Sequence, residues 1–156
     1  MYRGKMGMLN LYRSKRSGFS LIYLLIIIVV VVIIAVVAAP RLLRQQEKGK
    51  RTTAVNDIDA IGLALDIYAS HNGTYPSTEQ GLKSLWEKPI IAPIPSKWQG
   101  PYLDKPILKD PWGNDYIYIY PGKHNKHDYD LVSYGKDGAY GGKGDNEDIT
   151  NWTEEE

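Results

Sequence analysis

The sequence predicts an α+β chain: a long kinked N-terminal helix, membrane-spanning in its first half, packed on a small antiparallel β-sheet domain. Three observations carry this. Residues Phe19 to Ala39 form a 21-residue run without a charge. Val55, Ile58, Ile61, Leu65 and Tyr68 then recur at spacings of three and four, the stripe of an amphipathic helix. Finally, DYIYIY at 115–120 alternates aromatic and aliphatic residues, and DYDLVS at 128–133 follows it as a second strand.

The apolar run sets the first element. At 1.5 Å per residue it crosses a hydrocarbon core of about 30 Å. A cleavable secretory signal has an apolar stretch of only about 7–15 residues before a small-residue cut site. Ala38-Ala39 imitates such a site, but the run before it is too long and Pro40 follows at once. Isoleucine and valine are modest helix formers in water, yet in lipid the backbone must satisfy its own hydrogen bonds and a helix results. Arg13, Lys15 and Arg16 precede the run, so the positive-inside rule keeps the N-terminus cytoplasmic and sends the body across the membrane. The chain therefore divides into a basic leader at 1–18, a spanning helix at 19–39, its amphipathic continuation at 40–72 and a globular domain at 73–156.

After Pro40, RLLRQQEKGKRTT contains no stop signal, so the helix is expected to continue to about Ser70, on the order of 80 Å in all. Pro40 removes one backbone donor and predicts a kink there. His71-Asn72-Gly73 ends the helix: Asn and Gly accept left-handed backbone, and His71 complements the dipole. Ser77-Thr78-Glu79-Gln80 fits a capping box and predicts a short helix through about Trp86. Six prolines between Pro89 and Pro111 exclude regular structure and predict an ordered loop with Trp98 and Tyr102 packed down. The turn PGKHNKH at 121–127 joins the two strands into a long-looped hairpin, with a third short strand near Asn151-Trp152.

Composition excludes several functions. The chain has no cysteine, so neither disulfides nor zinc-thiolate sites are available. Five of its 19 basic residues and none of its 18 acidic residues lie in 1–18, which leaves the rest at 14 against 18, formally −4. A weakly acidic body gives no support to nucleic-acid binding. No nucleophile motif, phosphate loop or catalytic carboxylate pair stands out, and nothing argues for an enzyme. Four tryptophans and twelve tyrosines could stack carbohydrate, but a small domain needs large side chains to fill its core, and that reading is preferred. His124 and His127 beside Asp128 could begin a metal site; on a strand-connecting turn with no further ligand they read as a polar loop.

The richest candidate is GKDGAYGGKGDNEDI, Gly135 to Ile149. Asp137, Asp145, Asn146, Glu147 and Asp148 stand among glycines that let a loop fold back on itself. Hard cations such as calcium take six to eight oxygens from such loops, and crowded carboxylates repel unless a cation lies between them. The EF-hand order is absent. Composition alone leaves two readings open, a cation site and a solvated acidic loop.

Several motifs carry a resemblance. A short basic leader, Gly18, Phe19, a long apolar helix and Pro40 resemble the prepilin signal of the type IV pilin-like superfamily. NGTYPSTEQGL at 72–82, KDPWGNDY at 109–116, YGKDG at 134–138 and DITNW at 148–152 are, in that order, similar to the major pseudopilin (protein G) family of the type II secretion system. The resemblance implies cleavage between Gly18 and Phe19 by a prepilin peptidase and N-methylation of Phe19. It implies a structural calcium ion held by Asp137 and Asp148, the backbone carbonyl of Tyr134, and Asp145 or Glu147, without choosing among 145–147. It also implies a structural, non-enzymatic subunit of a periplasmic fibre that drives export of folded proteins. Its expected partners are copies of itself, minor pseudopilins, the inner-membrane secretion platform and, before assembly, membrane lipid. Phe19, Tyr23 and Pro40 are the expected assembly positions. Tyr23 departs from the family, which has a glutamate at the fifth mature position, offsetting a neighbour's N-terminal ammonium. Two rivals remain. A type IV major pilin for adhesion or motility is expected to carry a C-terminal cysteine pair, absent here. A membrane-anchored metal-dependent hydrolase needs a cleft and a base, and neither is visible.

Overall fold

The computed structural model describes residues 20–153. Helix α1 spans Leu21–Asn72, and its assignment runs unbroken through Pro40. The chain divides between Arg41 and Leu42 into two compact units. In the first, the large apolar side chains from Leu21 to Val37 are 47–83% exposed. This stretch is the one helical segment among the described residues that is long and apolar enough to cross a membrane.

In the second unit, α1 buries one face. Ala54, Ile58, Ile61, Leu65 and Tyr68 enter the core, spaced four, three, four and three apart. Val55, expected on that stripe, is 42% exposed, and Ala54 takes its place. The helix ends as anticipated, with Gly73 at φ 82° and its N–H bonded to the Ala69 carbonyl at 2.7 Å.

The capping box forms, but the α-helix it announces does not. The Ser77 N–H donates to Gln80 Oε1 at 3.0 Å and the Gln80 N–H to Ser77 Oγ at 3.2 Å. These bonds close a single turn, which Gly81 breaks at φ 61° before a 3-10 helix, Leu82–Leu85. Gln80 then serves the proline-rich loop, its amide donating to the carbonyls of Ile91 and Pro93. That loop is irregular, with Trp98 and Tyr102 packed on the core as expected.

Three antiparallel strands, β1 (Ile117–Ile119), β2 (Asp130–Ser133) and β3 (Ile149–Thr150), form one sheet in chain order. Tyr116 and Tyr118 are buried while Ile117 and Ile119 are only partly covered. The two hydroxyls find acceptors, Asp57 Oδ2 at 3.0 Å and the Pro76 carbonyl at 2.7 Å, so burial leaves no orphaned phenol there. The third strand precedes its expected position at Asn151-Trp152. Asn151 adds its side chain to the ladder: besides its backbone N–H donating to the Leu131 carbonyl at 3.1 Å, its amide accepts from Leu131 N at 2.8 Å and donates to the Tyr129 carbonyl at 2.9 Å.

Leu65, wholly inaccessible to solvent, is central to this core. Leu65→Ala is expected to cost about 2–5 kcal/mol, the range for truncating a fully buried leucine. Urea unfolding of the full-length chain followed by near-ultraviolet dichroism measures it; a loss below about 1 kcal/mol would mean that the helix does not seal the core there.

Candidate functional site

The glycine-rich loop between β2 and β3 is built on a brace that begins with Asp110. This buried carboxylate accepts from the backbone N–H groups of Trp112 (3.0 Å) and Asn114 (2.9 Å), turning Asp-Pro-Trp-Gly-Asn back on itself. Ser133, at the end of β2, donates its hydroxyl to Asp110 Oδ2 at 2.7 Å. The Asn114 amide donates to the Gly135 carbonyl at 2.8 Å, and Gly135 N–H donates to Ser133 Oγ at 3.2 Å. The brace thus fixes the loop where it leaves the sheet. Gly138 passes so close that a Cβ there would lie 2.8 Å from Asn114 Oδ1, at a φ of 65° that side chains rarely adopt.

Within the loop, Lys136 N–H donates to the Asp145 carbonyl at 3.3 Å and so joins the two limbs. Asp137 accepts from Ala139 N–H at 3.1 Å, and its side chain lies in an exposed residue. Asp145 occupies a 3-10 turn, Gly144–Asn146. Asp148 uses Oδ2 to accept from Gly141 N–H at 2.9 Å, while its Oδ1 is buried with no hydrogen-bond partner. A buried carboxylate oxygen without a partner is costly, and a hard cation satisfies it.

Glu147 faces elsewhere. Its carboxylate lies 3.3 Å from Arg51 Nη2, and its carbonyl accepts from Arg51 Nη1 at 2.8 Å. One turn earlier on α1, Glu47 accepts from the Trp112 indole N–H at 2.8 Å and pairs with Lys136 at 3.6 Å. The Trp112 hydrogen bond, with help from Lys136 and Lys50, holds the Glu47 carboxyl below its usual value. Among the described residues, no three Asp, Glu or His side chains converge as a preformed cage. The donor chemistry and the orphaned Asp148 oxygen fit a hard cation.

Sequence reading singled out Asp137, Asp145, Glu147 and Asp148 together with Tyr134. The structure places all of them in one loop but turns Glu147 towards α1. It adds Glu47 and Arg51, whose sequence signal was their i,i+4 spacing on α1, and Asp110 and Asn114, which lie in the KDPWGNDY motif. His124 belongs to the hairpin turn between β1 and β2. It stacks on Trp152 at 4.2 Å with its Nδ1 3.0 Å from Asp130 Oδ2, as a polar hairpin loop requires. Tyr23 is 64% exposed on α1, and Pro40 lies within that helix. Gly18 and Phe19, the expected processing site, lie outside the described residues.

The sequence model of the family described as "Type II secretion system (T2SS), protein G" matches residues 41–152. The chain belongs to this family. Protein G relatives match over almost their full length. The type II secretion system core protein G of Pseudomonas aeruginosa is 41% identical over 142 residues, covering 91% of this chain and 99% of the relative. That of Escherichia coli K12 is 41% identical over 138 residues, covering 88% and 92%. The crystal structure of the major pseudopilin from the type 2 secretion system of enterohaemorrhagic Escherichia coli superposes with a TM-score of 0.59 at 35% identity. It covers 72% of this chain and 95% of that one. The long helix on a small antiparallel sheet is therefore the protein G fold.

Proposed function

We propose that this chain is a structural subunit of the type II secretion pseudopilus, which polymerises into a periplasmic fibre driving the export of folded proteins. One observation carries the reading beyond family membership. A continuous helix presents bare apolar side chains from Leu21 to Val37, and the same helix buries its later turns in a folded domain. An apolar surface of that extent must be covered, by lipid before assembly and by the helices of other copies afterwards. The chain is first a single-span inner-membrane protein with residues 1–18 cytoplasmic and the globular domain periplasmic. Prepilin peptidase cuts between Gly18 and Phe19 and methylates Phe19. Minor pseudopilins and the inner-membrane platform are its further partners, and its role is structural rather than catalytic.

Phe19, Tyr23 and Pro40 shape the assembling part of the helix. Tyr23 stands where the resemblance implies a glutamate, and its hydroxyl can accept a hydrogen bond from the Phe19 ammonium of a neighbouring copy. Pro40 marks where the helix tolerates a bend. In the globular domain a calcium ion is held by Asp148 and Asp137, with the Tyr134 carbonyl and Asp145 alongside. When bound it ties the two limbs of the loop together by coordination.

Processing tests this reading. Mass spectrometry of the native protein is expected to show a chain beginning at N-methylated Phe19. An intact leader, or cleavage after Ala39, would overturn the prepilin route.

A further inference from the structure

We propose that Arg51 is a positioning residue for the cation loop: its guanidinium holds the far limb against α1 and withdraws Glu147 from the ligand set. The inference rests on the calcium reading above and assigns the geometry behind it.

The guanidinium reaches three oxygens of that limb. Nη1 donates to the Glu147 carbonyl at 2.8 Å and to the Gly144 carbonyl at 3.4 Å, while Nη2 donates to Glu147 Oε2 at 3.3 Å. The ion pair alone is exposed and contributes little. The contacts of Nη1 with two carbonyls are what locate the backbone, and holding the Glu147 carboxylate at the same time through Nη2 uses the fork of an arginine rather than the point charge of a lysine.

This limb is the part of the loop that most needs an anchor. Gly141, Gly142 and Gly144 all have positive φ, and ordering such a segment costs backbone entropy. Asp148 follows directly, bracketed by Arg51 on one side and by Ile149 of β3 on the other. That bracket sets its Oδ2 on Gly141 N–H and leaves its buried Oδ1 without a partner. Glu147 and the two carbonyls are already engaged by Arg51. The oxygens left for a cation are those of Asp148, Asp137, Asp145 and the near limb. Glu47, four residues before Arg51, meets Lys136 on that near limb, so one face of α1 contacts both limbs.

Groups that hold metal ligands in place without touching the ion typically change metal affinity about 10–100-fold when removed. The test is calorimetric titration of Ca2+ into the full-length chain in detergent after stripping with EGTA. Arg51→Met, which keeps the aliphatic stem, is expected to weaken Ca2+ binding at least about tenfold. It is expected to leave the calcium-free melting temperature unchanged, and Arg51→Lys should recover only part of the loss. Glu147→Gln is expected to keep the affinity of the parent chain, and Asp148→Asn to lose binding. Unchanged affinity in Arg51→Met, or loss of binding in Glu147→Gln, overturns the positioning role. Failure of the unaltered chain to bind Ca2+ instead overturns the calcium reading on which it rests.

Discussion

Asp130→Ala is expected to destabilise the globular domain by about 3 kcal/mol, roughly 1 kcal/mol for each of three backbone donors it leaves without an acceptor, a large share of the stability a domain this size possesses. Asp130 is buried at the start of β2 and organises the whole hairpin loop. Its carboxylate accepts from the backbone N–H groups of Lys123 (2.7 Å), His124 (2.9 Å) and Asn125 (2.9 Å). The His124 ring adds a contact at 3.0 Å and carries the stack on Trp152, so the same carboxylate orders the C-terminal segment. Gly122 leaves no room for a Cβ against this carboxylate. Alanine would strand three backbone donors at once.

The carboxylate also makes stability depend on pH. Burial pushes the Asp130 pKa up, but the backbone donors and His124 outweigh it, so the net shift is downward. A folded-state pKa below the unfolded value of about 3.9 means that the unfolded chain takes up the proton first. The contribution is therefore fully present above about pH 4 and disappears as pH falls through the folded-state value. Melting temperatures of the parent chain are expected to fall in that acid window, with a shallower slope for Asp130→Asn. Parallel slopes would show that another group governs acid unfolding.

The second large effect is calcium removal. A ligand that binds only the folded state, present at a hundredfold its Kd, stabilises by about 2.7 kcal/mol. For a domain of about 100 residues that is a fall of roughly 10 °C or more in melting temperature when EGTA is added. Asp137→Ala and Asp148→Asn are each expected to abolish the response, because both carboxylates belong to the proposed ligand set. A chain without cysteine has no disulfide to substitute for this support. An unchanged melting temperature on chelation would make the loop a solvated acidic segment.

Much of the fold was legible because its rules are local. Three-and-four spacing marked the buried face of α1, Gly73 its end, and the prolines the irregular loop. Where reading erred, a neighbour overrode a sound local signal. The Ser77–Gln80 capping box is real, but Gly81 stops the helix after one turn. The strand ends before Asn151 because its side-chain oxygen, not a backbone carbonyl, takes the Leu131 N–H. Ala54 replaces Val55 because the face of the helix, invisible at single-residue resolution in a short stripe, is set by what packs on it.

The site was half legible for the same reason. Carboxylates and glycines crowded within a dozen residues announce a loop suited to a hard cation. Nothing local connects Arg51 with Glu147, 96 positions away, or Asn114 with Gly135, 21 away. Those contacts exist only once α1 and the sheet have docked. They turn Glu147 towards the helix and leave Asp148 within the loop.

The central claim is that this chain builds the fibre of a secretion machine. It is tested most directly by deleting its gene in the parent organism and assaying folded secreted proteins inside and outside the cell. The account predicts that these proteins accumulate in the periplasm, and that the re-introduced chain restores export while cross-linking into homopolymers through its N-terminal helix. Unimpaired secretion with loss of adhesion or motility would contradict it and make the chain a pilin.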